Sequence, residues 1–405
     1  MNILILSPGY PAEMPQFTRG LAEVGAKVFG VGDQAPGGLP ESVQHHLSGY
    51  LPVPSLWDEA AVVDAVRRWP EAARLDGVEC LWEPGMLLAA RLREALHLPG
   101  LSVAETVPFR DKEAMKQVLD RAGLRTPRHI RCASVHACWE AAEKIGYPII
   151  IKPIDGAGSA DTYRVDSSDD LRDILPRLRH VPEVSVEEFV DGDEFTFDTV
   201  TIAGQVAYYN IAWYRPRPLV ARSHEWISPQ VIALRHVDQP TLAGGVELGL
   251  AVIRALGFQS GFTHMEWYRK ADGEVVFGEI GARPPGAHQV DQMNVACDFD
   301  VYREWGRAVA FGRFDAQIDR KYNVSNIYKR AHGEGRITQI AGLERIERLY
   351  GEHIAWNKLL PVGAPRRNWR NTLVSDGFLM VRHPELATLV KISDDIAENL
   401  NLHAE

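Results

Sequence analysis

Glu266 and Glu279 are the residues of this chain whose types and spacing point most directly to chemistry. They lie in GFTHMEWYRKADGEVVFGEIGARPPGAH, residues 261–288, where 262–268 and 274–280 read as two strands and Asp272-Gly273 as a two-residue hairpin turn. Counting outward from such a turn sets Glu266 opposite Glu279 on one sheet face, with Cβ atoms roughly 5 Å apart. Facing carboxylates repel and lose hydration in a cleft, so they need either a shared proton or a bound cation. A hard divalent ion, Mg²⁺ or Mn²⁺ in its place, suits two oxygen donors. Arg283 follows, then the stiff run Pro284-Pro285-Gly286, which would hold the arginine and His288 beside such an ion. A solvated surface hairpin is the plainer alternative, and Phe262, Met265, Trp267, Val276, Phe277 and Ile280 make this one too apolar for it.

Basic and small residues upstream could meet a phosphate. Lys152 leaves a strand over 149–152 whose length Pro148 and Pro153 limit, and Asp155-Gly156-Ala157-Gly158-Ser159-Ala160 follows at once. Two glycines and small side chains let main-chain N–H groups crowd around an anion, although such a run also makes a plain turn. Lys112 opens a helix that runs to about Ala122, with Asp111 as its cap. Arg215, Arg217 and Arg222 lie in a proline-broken segment with Trp213, Tyr214 and Trp226. That mixture suits bidentate recognition of a small carboxylate, or a solvated loop that offsets an acidic total.

The elements that must position these groups change texture along the chain. Strands over 3–6, 27–31 and 79–82 alternate with helices over 15–24, 58–69 and 85–96, which is the start of an open Rossmann-like layer. Its Ser7-Pro8-Gly9 loop lacks the GxGxxG phosphate signature. From 129 onward antiparallel strands dominate: 129–132, 149–152, 162–165, 184–190, 194–202 and 205–213. Helices are expected over 134–144, 168–178, 241–256 and 299–311; beyond Gly312 strands are expected over 323–329 and 377–381 and helices over 344–350 and 385–400.

A net charge of −10 argues against nucleic acid as a default partner. The four cysteines show no CxxC spacing, and no apolar run nears the roughly 20 residues of a membrane span. The opening MNILIL reads as a strand and not as a leader, so a cytoplasmic location is expected. Oligomeric state stays open, a homodimer being the commonest outcome for soluble enzymes.

In order along the chain, Lys112, the Lys152-Pro153 pair, the small-residue loop, Glu187-Glu188-Phe189-Val190, Gly192-Asp193-Glu194, the paired glutamates and Arg283 resemble the ATP-grasp superfamily. The likeness is to its carboxylate–amine ligases with a biotin-carboxylase-like layout. It implies a fold of α/β and α+β parts: a Rossmann-like domain over 1–104, a two-lobed ATP-grasp domain over 105–312 with its smaller lobe at about 112–185, and a C-terminal region over 313–405. It implies ATP with magnesium. Lys112 and Lys152 would contact phosphates, and Asp155, Gly156, Gly158 and Ser159 would form the flap. Glu187 would sit near the adenine amino group, with Glu188, Phe189 and Val190 along the ring edge and Glu194 on the ribose. Glu266 and Glu279 would bind metal, Arg283 would steady the reacting carboxylate or acyl phosphate, and His288 would address substrate. One departure is Gly281, where such enzymes commonly carry a metal-binding Asn. The implied reaction joins a carboxylate to an amine, with an amino acid among the substrates, through an acylphosphate. Phosphorylation or carboxylation of another small acceptor, or nucleotide binding with weakened catalysis, are the alternatives.

Overall fold

Asn2–Leu6 is apolar on both faces, so it must be covered from both sides. In the computed structural model, which describes residues 1–156 and 161–405, it is an inner strand of a parallel sheet. Lys27–Gly32 and Gly77–Glu79 flank it, and Leu47–Pro52 closes the far edge. Leu4 and Leu6 pack with Val62, Val66, Leu88 and Leu92 on one face. Ile3 and Ile5 turn to Phe17, Leu21 and Trp305 on the other. The last strand sits earlier than the sequence suggested: pairing ends at Glu79, and the Cys80 thiol then donates to the Trp82 carbonyl as the chain turns. Leu47–Pro52 went unread because it is only partly buried and carries a glycine and a proline.

A second sheet, antiparallel, holds His129–Cys132, Val184–Glu188, Ile149–Pro153 and Tyr163–Val165 in that order. Helices Val135–Ile145 and Ser168–Ile174 cover one face through Cys138, Ala142, Ile145 and Leu171. Its other face looks towards the largest sheet.

That sheet runs Val275–Gly281, Gly261–Arg269, Asp193–Ile202, Ala212–Arg215, Gln230–Ala233, Asn323–Tyr328, Phe378–His383, Ile354–Asn357, with Gln205–Asn210 also pairing to Asp193–Ile202. The strand expected over 205–213 is therefore two, broken at Ile211. Residues after 313 supply inner strands, so the C-terminal region shares one hydrogen-bonded sheet with the Glu266–Glu279 hairpin. Phe197, Met265, Trp267, Ile327 and Leu379 line one core; Val200, Phe262, Val324 and Met380 line the other. Helix Pro240–Ala255 lies against the first. Its Gly245 and Gly249 are pressed on Trp267 and Phe197: a Cβ there would come within 2.2 and 2.3 Å of the rings. Among the described residues no helix is long and apolar enough to cross a membrane.

Candidate active site

The hairpin brings the two glutamates together by a route other than a two-residue turn. The Lys270 amide bonds the Glu274 carbonyl at 2.9 Å and the Gly273 amide bonds the Lys270 carbonyl at 3.0 Å, so the loop has three residues with Gly273 left-handed at φ 88°. Alone, that loop shifts the register by one and sets Trp267 opposite Phe277. A bulge at Gly278 adds the residue back, and Glu266 pairs with Glu279 after all. Gly278 suits the bulge because a Cβ would stand 2.8 Å from the Glu266 carbonyl oxygen.

Both carboxylates face a cleft between the second sheet and the large sheet, lined also by Lys112, Lys152, Gly156, Glu187, Val190, Glu194 and Arg217. The Lys112 and Lys152 ammonium groups stand 3.6 and 3.9 Å from Glu279. Burial opposes charge on Glu279, but Lys112, Lys152 and Lys116 outweigh it and hold its pKa near about 2. Lys112 also donates to the Gly156 carbonyl. The Glu266 carboxylate accepts from the Tyr214 hydroxyl at 3.3 Å and lies 3.6 Å from His264 Nε2, whose Nδ1 is 2.6 Å from Asp198. Asp198 is itself fixed by Thr196 and Asn210, so the carboxylate–imidazole–carboxylate chain has a rigid root.

Deeper in the cleft Glu187 is fully enclosed, with Lys116 Nζ at 2.7 Å and Lys152 Nζ at 3.0 Å. Burial pushes its pKa up and the two lysines drive it far below the ordinary carboxylate range. Lys116 was missed in the sequence, though it follows Lys112 by one helical turn and therefore shares its face. Behind it Ser185 donates to Glu113 and to Glu187, and Glu113 meets His129 at 2.8 Å.

The stretch after Glu187 is more engaged than its sequence suggested. The Glu188 carboxylate takes hydrogen bonds from Arg125 and from the Arg128 amide, and its own amide is spent on the Arg128 carbonyl. The Phe189 amide is spent on Pro148, and its ring lies between the Arg164 and Arg217 guanidiniums at 4.2 and 4.9 Å. Those two amides are therefore closed to a ligand. Glu194 is buried 3.4 Å from Arg217, and burial with Glu266 nearby raises its pKa to about 8 despite that arginine. Asp155 is exposed, its carbonyl on Arg110 at 3.1 Å; Gly158 and Ser159 lie outside the described residues.

Arg283 reaches the site but is held from another direction. Its Nε and Nη2 both contact Glu83 of the parallel-sheet region, at 2.7 and 2.6 Å, and Glu83 also takes Arg110 at 2.6 Å. Glu83 was not foreseen, since nothing in its local sequence links it to a residue 200 positions away. His288 is turned elsewhere: its Nδ1 is 2.7 Å from Asp291, its amide donates to Glu13, and its ring packs on Phe378.

Glu266 and Glu279 also border a second cavity with Arg283, His264, Tyr214, Arg222, Arg330 and Trp369. The glutamate pair thus stands where two cavities meet. Two hard carboxylates suit Mg²⁺ that draws its remaining ligands from phosphate oxygens and water. No cluster of three or more His, Cys, Asp or Glu side chains fit to hold a metal ion occurs among the described residues.

A family model described as an ATP-grasp domain matches residues 109–211. An L-arginine-specific L-amino acid ligase of Bacillus subtilis is 26% identical over 257 residues, 59% of this chain and 61% of that protein. A D-alanine–D-alanine ligase of Clostridium perfringens is 38% identical over 88 residues, 21% of this chain and 29% of that enzyme. The chain therefore matches less than two thirds of the length of these curated relatives. In structure it superposes on an L-amino acid ligase from Bacillus licheniformis with a TM-score of 0.81 at 23% identity, over 100% of this chain and 98% of that one. The parallel layer, the smaller sheet and the large sheet are thus the parts of one known architecture: residues 109–211 match the ATP-grasp domain, and the whole chain shares its fold with the Bacillus licheniformis enzyme.

Proposed function

We propose that this protein is an ATP-dependent ligase that joins a small carboxylate to an amine, one of them supplied by an amino acid. The observation that carries the reading is the position of Glu266 and Glu279 on the border of two cavities. In the first, Lys112 and Lys152 would receive phosphates and Glu194 with Arg217 a sugar; the second would take the acid and the amine. The substrate carboxylate attacks the γ-phosphorus of ATP, the bond to ADP breaks, and the amine then displaces phosphate from the acylphosphate. Glu266 and Glu279 would hold Mg²⁺, which when bound supplies positive charge to the phosphate oxygens. The chain's own part is to neutralise and orient: Lys112 and Lys152 offset anionic charge, while Arg283, aimed by Glu83, faces the carbonyl side. The names of the relatives, amino-acid and D-alanine ligases, favour amino-acid substrates.

Gly281 favours a second reading, nucleotide binding with weakened catalysis, because glycine has no side-chain oxygen to add to the Glu266 and Glu279 carboxylates. ADP release with Mg²⁺-ATP against amino acids, singly and in pairs, separates the two. Release that needs a pair and vanishes in Glu279→Gln supports the ligase; ATP binding with no pair-dependent release sinks it.

A further inference from the structure

Two arginines of the second cavity have no carboxylate among their hydrogen-bond acceptors within the described residues. Arg222 gives its mapped hydrogen bond to the Arg370 carbonyl at 2.8 Å. Arg330, buried with 7% of its surface exposed, donates to the Ala221 carbonyl at 2.9 Å, the His224 carbonyl at 2.8 Å and the Ser375 hydroxyl at 3.5 Å. None of these acceptors is a carboxylate, whereas other charges nearby are matched: Arg283 has Glu83, and Arg366 has Glu225. Asp376, the acid that partly offsets Arg330, has its oxygens on the Ala331 and Arg367 amides. Both arginines line the same cavity, with Tyr214, Tyr328, Trp369 and Leu373 as its apolar and aromatic walls. The Arg330 guanidinium stands over the Trp369 ring, 4.5 Å from its centre.

Arg330 is buried and Arg222 half-buried; guanidiniums brought together with reduced access to water repel each other, and a protein gains by such an arrangement when a ligand brings opposite charge. Burial depresses the pKa of both, and for Arg330 the nearby Arg222 adds to it, to about 10, so both remain cationic at neutral pH. The acids that line this cavity, Glu266 and Glu279, make no ion pair with either arginine among the described contacts and are assigned to metal in the proposed function.

We propose that this cavity selects a substrate bearing a second anionic group, beyond the carboxylate that reacts, and that Arg222 and Arg330 receive that group. The inference rests on the ligase reading for the location of the reacting carboxylate, and it names the substrate class: acidic amino acids or phosphorylated ones. A carboxylate and a phosphate ester share the recognising chemistry, so both belong in the test.

The experiment measures calorimetric binding to the full chain with Mg²⁺ and a non-hydrolysable ATP analogue. L-glutamate and O-phospho-L-serine are compared with their neutral counterparts, L-glutamine and L-serine. A charge-assisted hydrogen bond gained by the anion corresponds to about tenfold or more in affinity. We expect at least one anionic ligand to bind about tenfold tighter than its neutral counterpart, with the larger gap telling carboxylate from phosphate. Arg222→Gln should collapse the gap while ATP affinity stays, and Arg330→Lys, which keeps the charge, should retain most of it. Equal affinities, tighter neutral ligands, or no binding by any of the four would overturn the inference even if neutral pairs drive ADP release and the ligase stands. Anion-selective binding with no ADP release for any amine would keep Arg222 and Arg330 as the anion-binding residues, remove the ligase, and with it overturn the statement that the anion is additional to a reacting carboxylate.

Discussion

Glu83 and Arg283, 200 residues apart, form a two-contact ion pair that joins the parallel-sheet layer to the segment following the Glu266–Glu279 hairpin. The pair means that the orientation of Arg283 is set from outside its own sheet. Glu83 is a positioning residue in this arrangement, since it contacts the arginine and not the reacting atoms.

Glu83→Gln should therefore lower kcat by about ten- to a hundredfold, because small misplacement of an orienting group costs that much, while KM for ATP changes little. Steady-state kinetics with varied ATP and a saturating substrate pair check this. A variant with raised KM for ATP and normal kcat would show that Glu83 acts on the nucleotide.

Lys116 tests the buried charge cluster. Removing it as Lys116→Met leaves Glu187 with Lys152 alone, in a setting where breaking a buried pair costs about 3–5 kcal/mol. The remaining lysine should hold the loss near the low end, read by urea denaturation. The sign of the pH effect follows from the depressed carboxylate. Its stabilisation is complete above the unfolded pKa of about 4.3 and is lost as pH falls towards the folded value. The variant, with a less depressed Glu187, should lose less stability on acidification, and the loss should level off at a higher pH than in wild type.

Glu194 predicts the reverse. Its folded pKa of about 8 lies above the unfolded value, so ionisation destabilises the nucleotide-free protein as pH rises through that window. Glu194→Gln should be more stable than wild type at pH 8 and close to it at pH 5, as thermal unfolding would show. An advantage independent of pH would mean that charge is not the cause. ATP affinity should fall in the same variant, since the proposed sugar contact is lost.

The chain's chemistry was more legible than the route by which the fold delivers it. Strong local patterns, such as IIIKP at 149–153 or the apolar run at 3–6, depend on nearby residues and read directly. The facing of Glu266 and Glu279 also read, but through a turn that does not form; loop and bulge each shift the register by one and the shifts cancel. Lys116 and Glu83 left no mark because their partners are set by tertiary packing across 71 and 27 or 200 positions. Strands such as Gln230–Ala233 escaped for a related reason: four residues make a strand only when Ala212–Arg215 and Asn323–Tyr328 lie on either side.

Gly278 can be tested as the residue that makes the bulge. A methyl group in Gly278→Ala would press on the Glu266 carbonyl at 2.8 Å, and overpacking of that kind costs about 1–3 kcal/mol. The hairpin can relieve it by straightening, which turns Glu279 away from Glu266. The expected result is a modest loss in Tm with a much larger rise in the Mg²⁺ concentration needed for half-maximal ADP release. Loss of stability with an unchanged Mg²⁺ requirement would separate the bulge from the metal site.

Gly281 offers a gain in place of a loss. Its backbone does not demand glycine: a Cβ would meet Arg283 Cγ at 3.3 Å, the stem of a flexible side chain, with no backbone atom among its near neighbours. Gly281→Asn should therefore fold, and its amide oxygen, two residues beyond Glu279 and so on the same strand face, adds a hard donor beside the pair. The Mg²⁺ requirement for ADP release should drop several-fold, about 1 kcal/mol of binding, with little change in Tm measured without metal. If the requirement is unchanged although the protein is intact, the pair is already saturated by phosphate oxygens and water, and glycine at this position is no handicap to the metal.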